Sequence, residues 1–137
     1  MVTIRAGQRR VVVMRRTAPD NSLFTRLEFP AGSLVPRAGD SVRVGIRPRP
    51  GLYGLDLEVD GSIGAGAKVT FSYAVHFVAP AGARTRYGSD IGFERQLLVG
   101  MVGGDNVVTF LPTTRPGSDM VSASVPGPGR FLVAAPK

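Results

Sequence analysis

Alternation of apolar and polar positions dominates this chain. It is clearest from Ala67 to Phe77, where Val69, Phe71, Tyr73, Val75 and Phe77 share one side. Lys68, Thr70, Ser72, Ala74 and His76 share the other. A period of two over that length is the signature of a half-buried β-strand. The same pattern recurs from Leu23 to Phe29, from Ser41 to Arg47 and from Tyr53 to Val59. Asn106 to Leu111, Ser118 to Val125 and Arg130 to Ala135 add shorter runs, and Phe93 to Val102 reads as a long strand or a single helical turn.

Turn chemistry separates these runs. Pro30-Ala31-Gly32 forces a corner after Phe29, Gly39-Asp40 leads into Ser41, Pro48-Arg49-Pro50-Gly51 stops the next run, and Asp60-Gly61 stops the one after it. The stretch Leu27 to Val44 therefore reads as strand, corner, strand. Gly100 to Gly104 lacks the Lys-Ser/Thr of a phosphate loop and reads as a hairpin turn. Eight or nine short strands with regular turns and no amphipathic helix predict an all-β protein, an antiparallel β-sandwich.

Composition sharpens this picture. With 137 residues and 43% apolar content, the chain is long enough for one core. The expected organisation is a basic arm or edge strand over residues 1–22 and one sandwich domain over 23–137. The 18 glycines and 11 prolines are scattered between the runs, as punctuation for many strands requires. Cysteine is absent, which excludes disulfides, thiolate metal sites and cysteine nucleophiles. No apolar run approaches the ~18–20 residues that a spanning helix needs. The start, MVTIRAGQRRVVVMRR, lacks a secretory pattern, so the expected location is the cytoplasm, peripheral to a membrane surface.

Charge is distributed unevenly. The net charge is +7, and residues 1–50 hold ten arginines against Asp20, Glu28 and Asp40. The remaining residues carry seven basic and seven acidic groups, so the whole excess lies in the first third. Arginine suits bidentate pairing with carboxylates or phosphates. Arg5, Arg9, Arg10, Arg15 and Arg16 are accordingly the candidate partner-binding residues. Arg84, Arg86 and Tyr87 in the long loop from Ala79 to Asp90 form a second candidate contact.

Candidate chemistry is sparse. His76 would lie on a polar strand face without partners for catalysis or metal binding. Asp56, Glu58 and Asp60 share a strand face; that spacing can hold a cation or pair with arginines, and it is also what a solvated face looks like. No nucleophile elbow occurs. Neither cofactor nor enzymatic activity is expected.

From Leu27 onward the chain resembles ZU5-type β-sandwich domains, found in ankyrins, netrin receptors and bacterial envelope proteins. Phe29-Pro30-Ala31-Gly32-Ser33-Leu34 is similar to the family's I-P-x-G-A-L corner, and Val42 to Ile46 matches the strand after it. Tyr53 to Leu57 and Ala67-Lys68-Val69-Thr70-Phe71 match two further strands, so the resemblance spans about residues 27–111. It implies a sandwich fold and a binding or docking role without a cofactor. Some relatives cleave themselves at a Phe-Ser bond after a His. The corresponding His76-Phe77-Val78 has no serine, so that activity is not expected here.

These features together predict a non-catalytic docking subunit of a larger assembly, extrinsic to a bacterial membrane complex, respiratory or photosynthetic. Its partners would be protein subunits, with anionic lipid headgroups as a further contact. A nucleic-acid-binding β-domain is the main alternative, although no aromatic residue is interleaved with the first arginines. A freestanding ligand- or carbohydrate-binding sandwich is the other, and it would need an exposed aromatic platform.

Overall fold

The structure, a computed structural model, describes residues 2–15, 23–49, 54–72, 95–117 and 120–135, together with Arg86, Gly88 and Gly92. Twelve strands lie among them. They are β1 (Val2–Arg5), β2 (Arg10–Arg15), β3 (Leu23–Phe29), β4 (Leu34–Pro36), β5 (Ser41–Arg49) and β6 (Gly54–Ile63). Then follow β7 (Lys68–Ser72), β8 (Leu98–Val102), β9 (Val108–Phe110), β10 (Thr113–Thr114), β11 (Met120–Ser124) and β12 (Gly129–Ala134). Every pairing between them is antiparallel.

A seven-stranded sheet runs in the order β1-β5-β6-β12-β8-β9, with β4 added against β6. A five-stranded sheet runs β10-β11-β7-β3-β2. Alternation decides what lies between them. Val42 and Val44 from β5, Leu55 and Leu57 from β6, and Phe131 from β12 point inward from the larger sheet. Leu27 and Phe29 from β3, Val69 and Phe71 from β7, and Val121 from β11 meet them from the smaller one. All ten are essentially inaccessible to water, and each such side chain stabilises the fold by about 1.5–3 kcal/mol through burial. The protein is an all-β sandwich.

The chain passes between the sheets at both sides of the sandwich. Residues 6–9 carry it from β1, outermost in the larger sheet, to β2, outermost in the smaller. Leu111 and Pro112 carry it from β9 to β10 at the other side. There the Leu111 N–H donates to the Val99 carbonyl at 2.9 Å. The Thr113 hydroxyl accepts from the Val99 N–H at 3.0 Å and donates to the Leu111 carbonyl at 2.8 Å. These bonds satisfy backbone groups that the crossing would otherwise leave unpaired.

Several boundaries differ from the alternation. The strand count is twelve among the described residues, against the eight or nine expected, partly because β4 and β10 are too short to show a period. Pro48 does not stop β5, which continues to Arg49 opposite Gly54. β1 begins at Val2, opposite Val44, so among the described residues no strand pairs with that flank of β5 at Pro48, a position that tolerates a missing N–H. Gly61 does not stop β6 either. With φ of +142° it bends the strand away from β5, so that Leu34 to Pro36 can pair with its last three residues. A Cβ there would collide with the Val35 carbonyl oxygen. The hairpin turn after β8 is Gly103 to Val107, with Asn106 in the left-handed region at φ 61°, and Gly100 lies inside the strand. Only Ala67 to Ser72 of the long alternating run is described, and His76 and Tyr53 lie outside the described residues.

Candidate interaction surface

The N-terminal arginines sit on ordered edge strands. Ile4 faces the core, so Thr3 and Arg5 project outward from β1. The backbone after Arg5 is pinned at three points. Ala6 N–H donates to the Asp40 carbonyl at 3.0 Å, Gln8 N–H to the Arg5 carbonyl at 3.1 Å, and Gly32 N–H to the Ala6 carbonyl at 2.8 Å. Arg9 is exposed in this crossing, and Arg10, also exposed, opens β2 opposite Phe29. The bond from Ala6 to Asp40 also draws in the loop that carries exposed Arg37. Arg5, Arg9 and Arg10 thus share one corner with the loop that carries Arg37 and Asp40. Among the described residues, none of these four arginines forms an ion pair.

Not every candidate joins them. Arg15 closes β2 beyond a register shift after Met14. Five residues at ~3.3 Å each place it about 17 Å along the strand from Arg10. Arg86 is exposed and, like Arg15, already has an interaction partner. Arg16, Arg84 and Tyr87 lie outside the described residues.

A second charged surface covers the outer face of the larger sheet, and its organisation depends on strand pairing. Arg43, Gly45, Arg47 and Arg49 of β5 stand in register with Asp60, Glu58, Asp56 and Gly54 of β6. The result is a basic row beside an acidic row. At one end Asp56 is clamped from both sides. Arg49 donates from Nε and Nη2 to Oδ2 at 2.9 and 2.6 Å, and Arg130 of β12 donates from Nε to Oδ1 at 2.8 Å. The Arg130 hydrogen bond, reinforced by Arg49 and opposed by partial desolvation, holds the Asp56 carboxyl below its ordinary range. The same contact raises the Arg130 guanidinium.

Further along, Arg43, Arg47, Glu58 and Asp60 make no ion pair among the described residues. A shallow notch lies beside Gly45. It has a volume of ≈240 Å³ and is lined by Gly45, Ile46, Arg47, Asp56 and Glu58. A second notch of ≈260 Å³ lies beside Arg43, Glu58, Val59 and Asp60. Sequence reading recognises the outward rows, but only the pairing of β5 with β6 shows that opposite signs are adjacent. Arg37 is missed because its closeness to Arg5 depends on the backbone contact at Asp40.

Beyond β12 this face turns apolar. Leu98, Val102, Val108, Phe110, Leu132 and Ala134 are half-buried on the side away from the core. Val108, Leu132 and Phe110 close over Gly100, where a Cβ would lie 2.5 Å from Val108 Cγ1. Among the described residues no group of His, Asp or Glu is placed to hold a metal ion, and no helix is long and apolar enough to cross a membrane. Compared with known proteins, the chain matches no family model, no curated protein and no solved structure.

Proposed function

We propose that this chain is a non-catalytic docking subunit that attaches to a larger assembly, extrinsic to a membrane complex, through the corner formed by Arg5, Arg9, Arg10 and Arg37. The observation that supports this reading is the state of those four side chains. They are exposed, they have no carboxylate partner among the described residues, and they stand on a backbone fixed by three hydrogen bonds. Side chains on an ordered backbone lose less freedom on binding, so charge matching there is used efficiently. The natural partner is an acidic protein surface, which an arginine fork engages by bidentate hydrogen bonds. The ZU5-like corner at Phe29 to Leu34 fits the same role. Gly32 within it donates its N–H to the Ala6 carbonyl of the crossing chain, so the resemblance and the basic corner coincide.

The test is co-sedimentation of the full chain with native membranes, with protein-free anionic vesicles and with nucleic acid, at low and high salt. Saturable binding to native membranes, weaker in salt and lost in an Arg9→Glu/Arg10→Glu variant, supports the proposal. Equal binding to vesicles assigns the corner to lipid headgroups. A steep salt dependence seen only with nucleic acid transfers it to a phosphate backbone.

A further inference from the structure

We propose that the outer face of β5 and β6 is a homodimer interface. A two-fold axis parallel to the strands and centred between them would lay each copy's arginine row on the other's carboxylate row. The register carries this inference. Such an axis exchanges β5 and β6 while keeping position along the strands. Arg43 of one copy then meets Asp60 of the second, and Arg47 meets the second copy's Asp56. Glu58 faces the second copy's Gly45, which stands between Arg43 and Arg47 along β5. Every contact occurs twice, as an isologous interface requires.

Two observations favour a second copy over other partners. Arg43, Arg47, Glu58 and Asp60 are direct or diagonal cross-strand neighbours, yet within one chain they form no ion pair. Both signs are therefore available to a partner. An anionic membrane or nucleic acid attracted by the arginines would also meet Asp56, Glu58 and Asp60, whereas a copy of the same face presents each charge with its opposite. The area suits a reversible pair. β1, β5, β6 and β12 hold 4, 9, 10 and 6 residues, and at ~3.3 Å per residue and ~4.8 Å per strand they give a patch of about 460 Å². Two such patches bury roughly 900 Å², the range of weak, concentration-dependent association. Arg5 borders this face, diagonal to Arg43 across β1 and β5, whereas Arg9 and Arg10 lie beyond β1, so charge changes at Arg9 and Arg10 test docking apart from dimerisation.

A reciprocal charge swap tests the geometry. Arg43 and Asp60 are both exposed, so Arg43→Glu and Asp60→Arg leave the core untouched. The wild-type chain is expected to show a concentration-dependent monomer–dimer equilibrium in sedimentation velocity that weakens with salt. Each variant alone sets like charges against each other twice, and its association is expected to fall about tenfold or more. An equimolar mixture of the two restores an opposite pair at both positions and is expected to dimerise as the wild type does. Lys68→Glu, on the other sheet, leaves association unchanged. A wild-type chain that stays monomeric overturns the proposal, as do single variants that associate normally, a mixture that stays monomeric, or a Lys68→Glu effect of equal size.

Discussion

Replacing Ile4 with alanine separates a strand from a loose basic arm. Ile4 is 3% exposed, pairs in register with Val42 and belongs to the core cluster. Its neighbour Thr3 points to solvent from the same four-residue strand. Truncating a buried isoleucine to alanine costs about 2–5 kcal/mol, the sum of lost transfer energy and an unfilled cavity. β1 is an edge strand and can relax toward the gap, so the lower part of that range, about 2–3 kcal/mol, applies. Unfolding entropy of ~2.1 cal/mol/K per residue, over 137 residues, gives about 0.29 kcal/mol/K. The melting temperature of Ile4→Ala should therefore fall by about 7–10 °C. Thr3→Ala loses only some strand propensity and should cost under ~1 kcal/mol. Thermal and urea melts of the two variants beside the wild type decide the matter. If both shift equally and by less than ~1 kcal/mol, the N-terminal residues are not integral to the sandwich and the reasoning fails. The same strand placement explains why docking must be probed by charge substitution. Deleting residues 1–16 would remove the outer strand of both sheets along with the charges.

Other positions give independent checks. Thr25 is fully buried and its hydroxyl has no hydrogen-bond partner among the described residues; Thr25→Val should raise stability by about 1–2 kcal/mol in urea denaturation, and a loss would mean the hydroxyl is satisfied after all. A Cβ on Gly54 would sit 2.5 Å from the Phe131 carbonyl oxygen and 3.1 Å from Leu132 Cβ. Gly54→Ala should therefore destabilise by about 1–3 kcal/mol, because the obstruction is the backbone of the adjacent strand. Asp56 has a depressed pKa in the folded state, so its pairing stabilises the fold above the ordinary carboxyl value of 3.8 and is lost as pH falls through the folded value. Urea midpoints of the wild type and Asp56→Asn should thus differ at neutral pH and converge on acidification; a pH-independent gap would contradict the clamp.

Much of the sandwich is legible as period-two alternation, because a sheet that buries one face must alternate. Thr25, Leu27 and Phe29 point inward as the pattern predicts, and so do Val42, Val44, Val69 and Phe71. Phe24 breaks the rule: it belongs to the polar side of β3 yet is 3% exposed, with its ring edge-on to Phe71 at 6.3 Å. Pairing partners are not legible, since alternation fixes faces and says nothing about which strand lies beside which. The basic cluster shows the consequence. Residues contiguous in sequence divide between two sheets, so Arg10 and Arg15 stand at opposite ends of β2 while Arg37 joins Arg5 from a distant turn. Likewise Asp56, Glu58 and Asp60 gain meaning only beside Arg43, Arg47 and Arg49. Pro48 and Gly61 mislead for a local reason: each normally ends a strand, and here each sits at an edge or a change of partner that accommodates it.

The most direct measurement of the docking claim is a gentle-detergent capture from native membranes, using the full chain tagged at its C-terminus beside the Arg9→Glu/Arg10→Glu variant. The account predicts that wild type retains a stoichiometric membrane complex and that the variant, with an unchanged melting curve, does not. Equal capture by both chains, or capture of nothing by either, would contradict it.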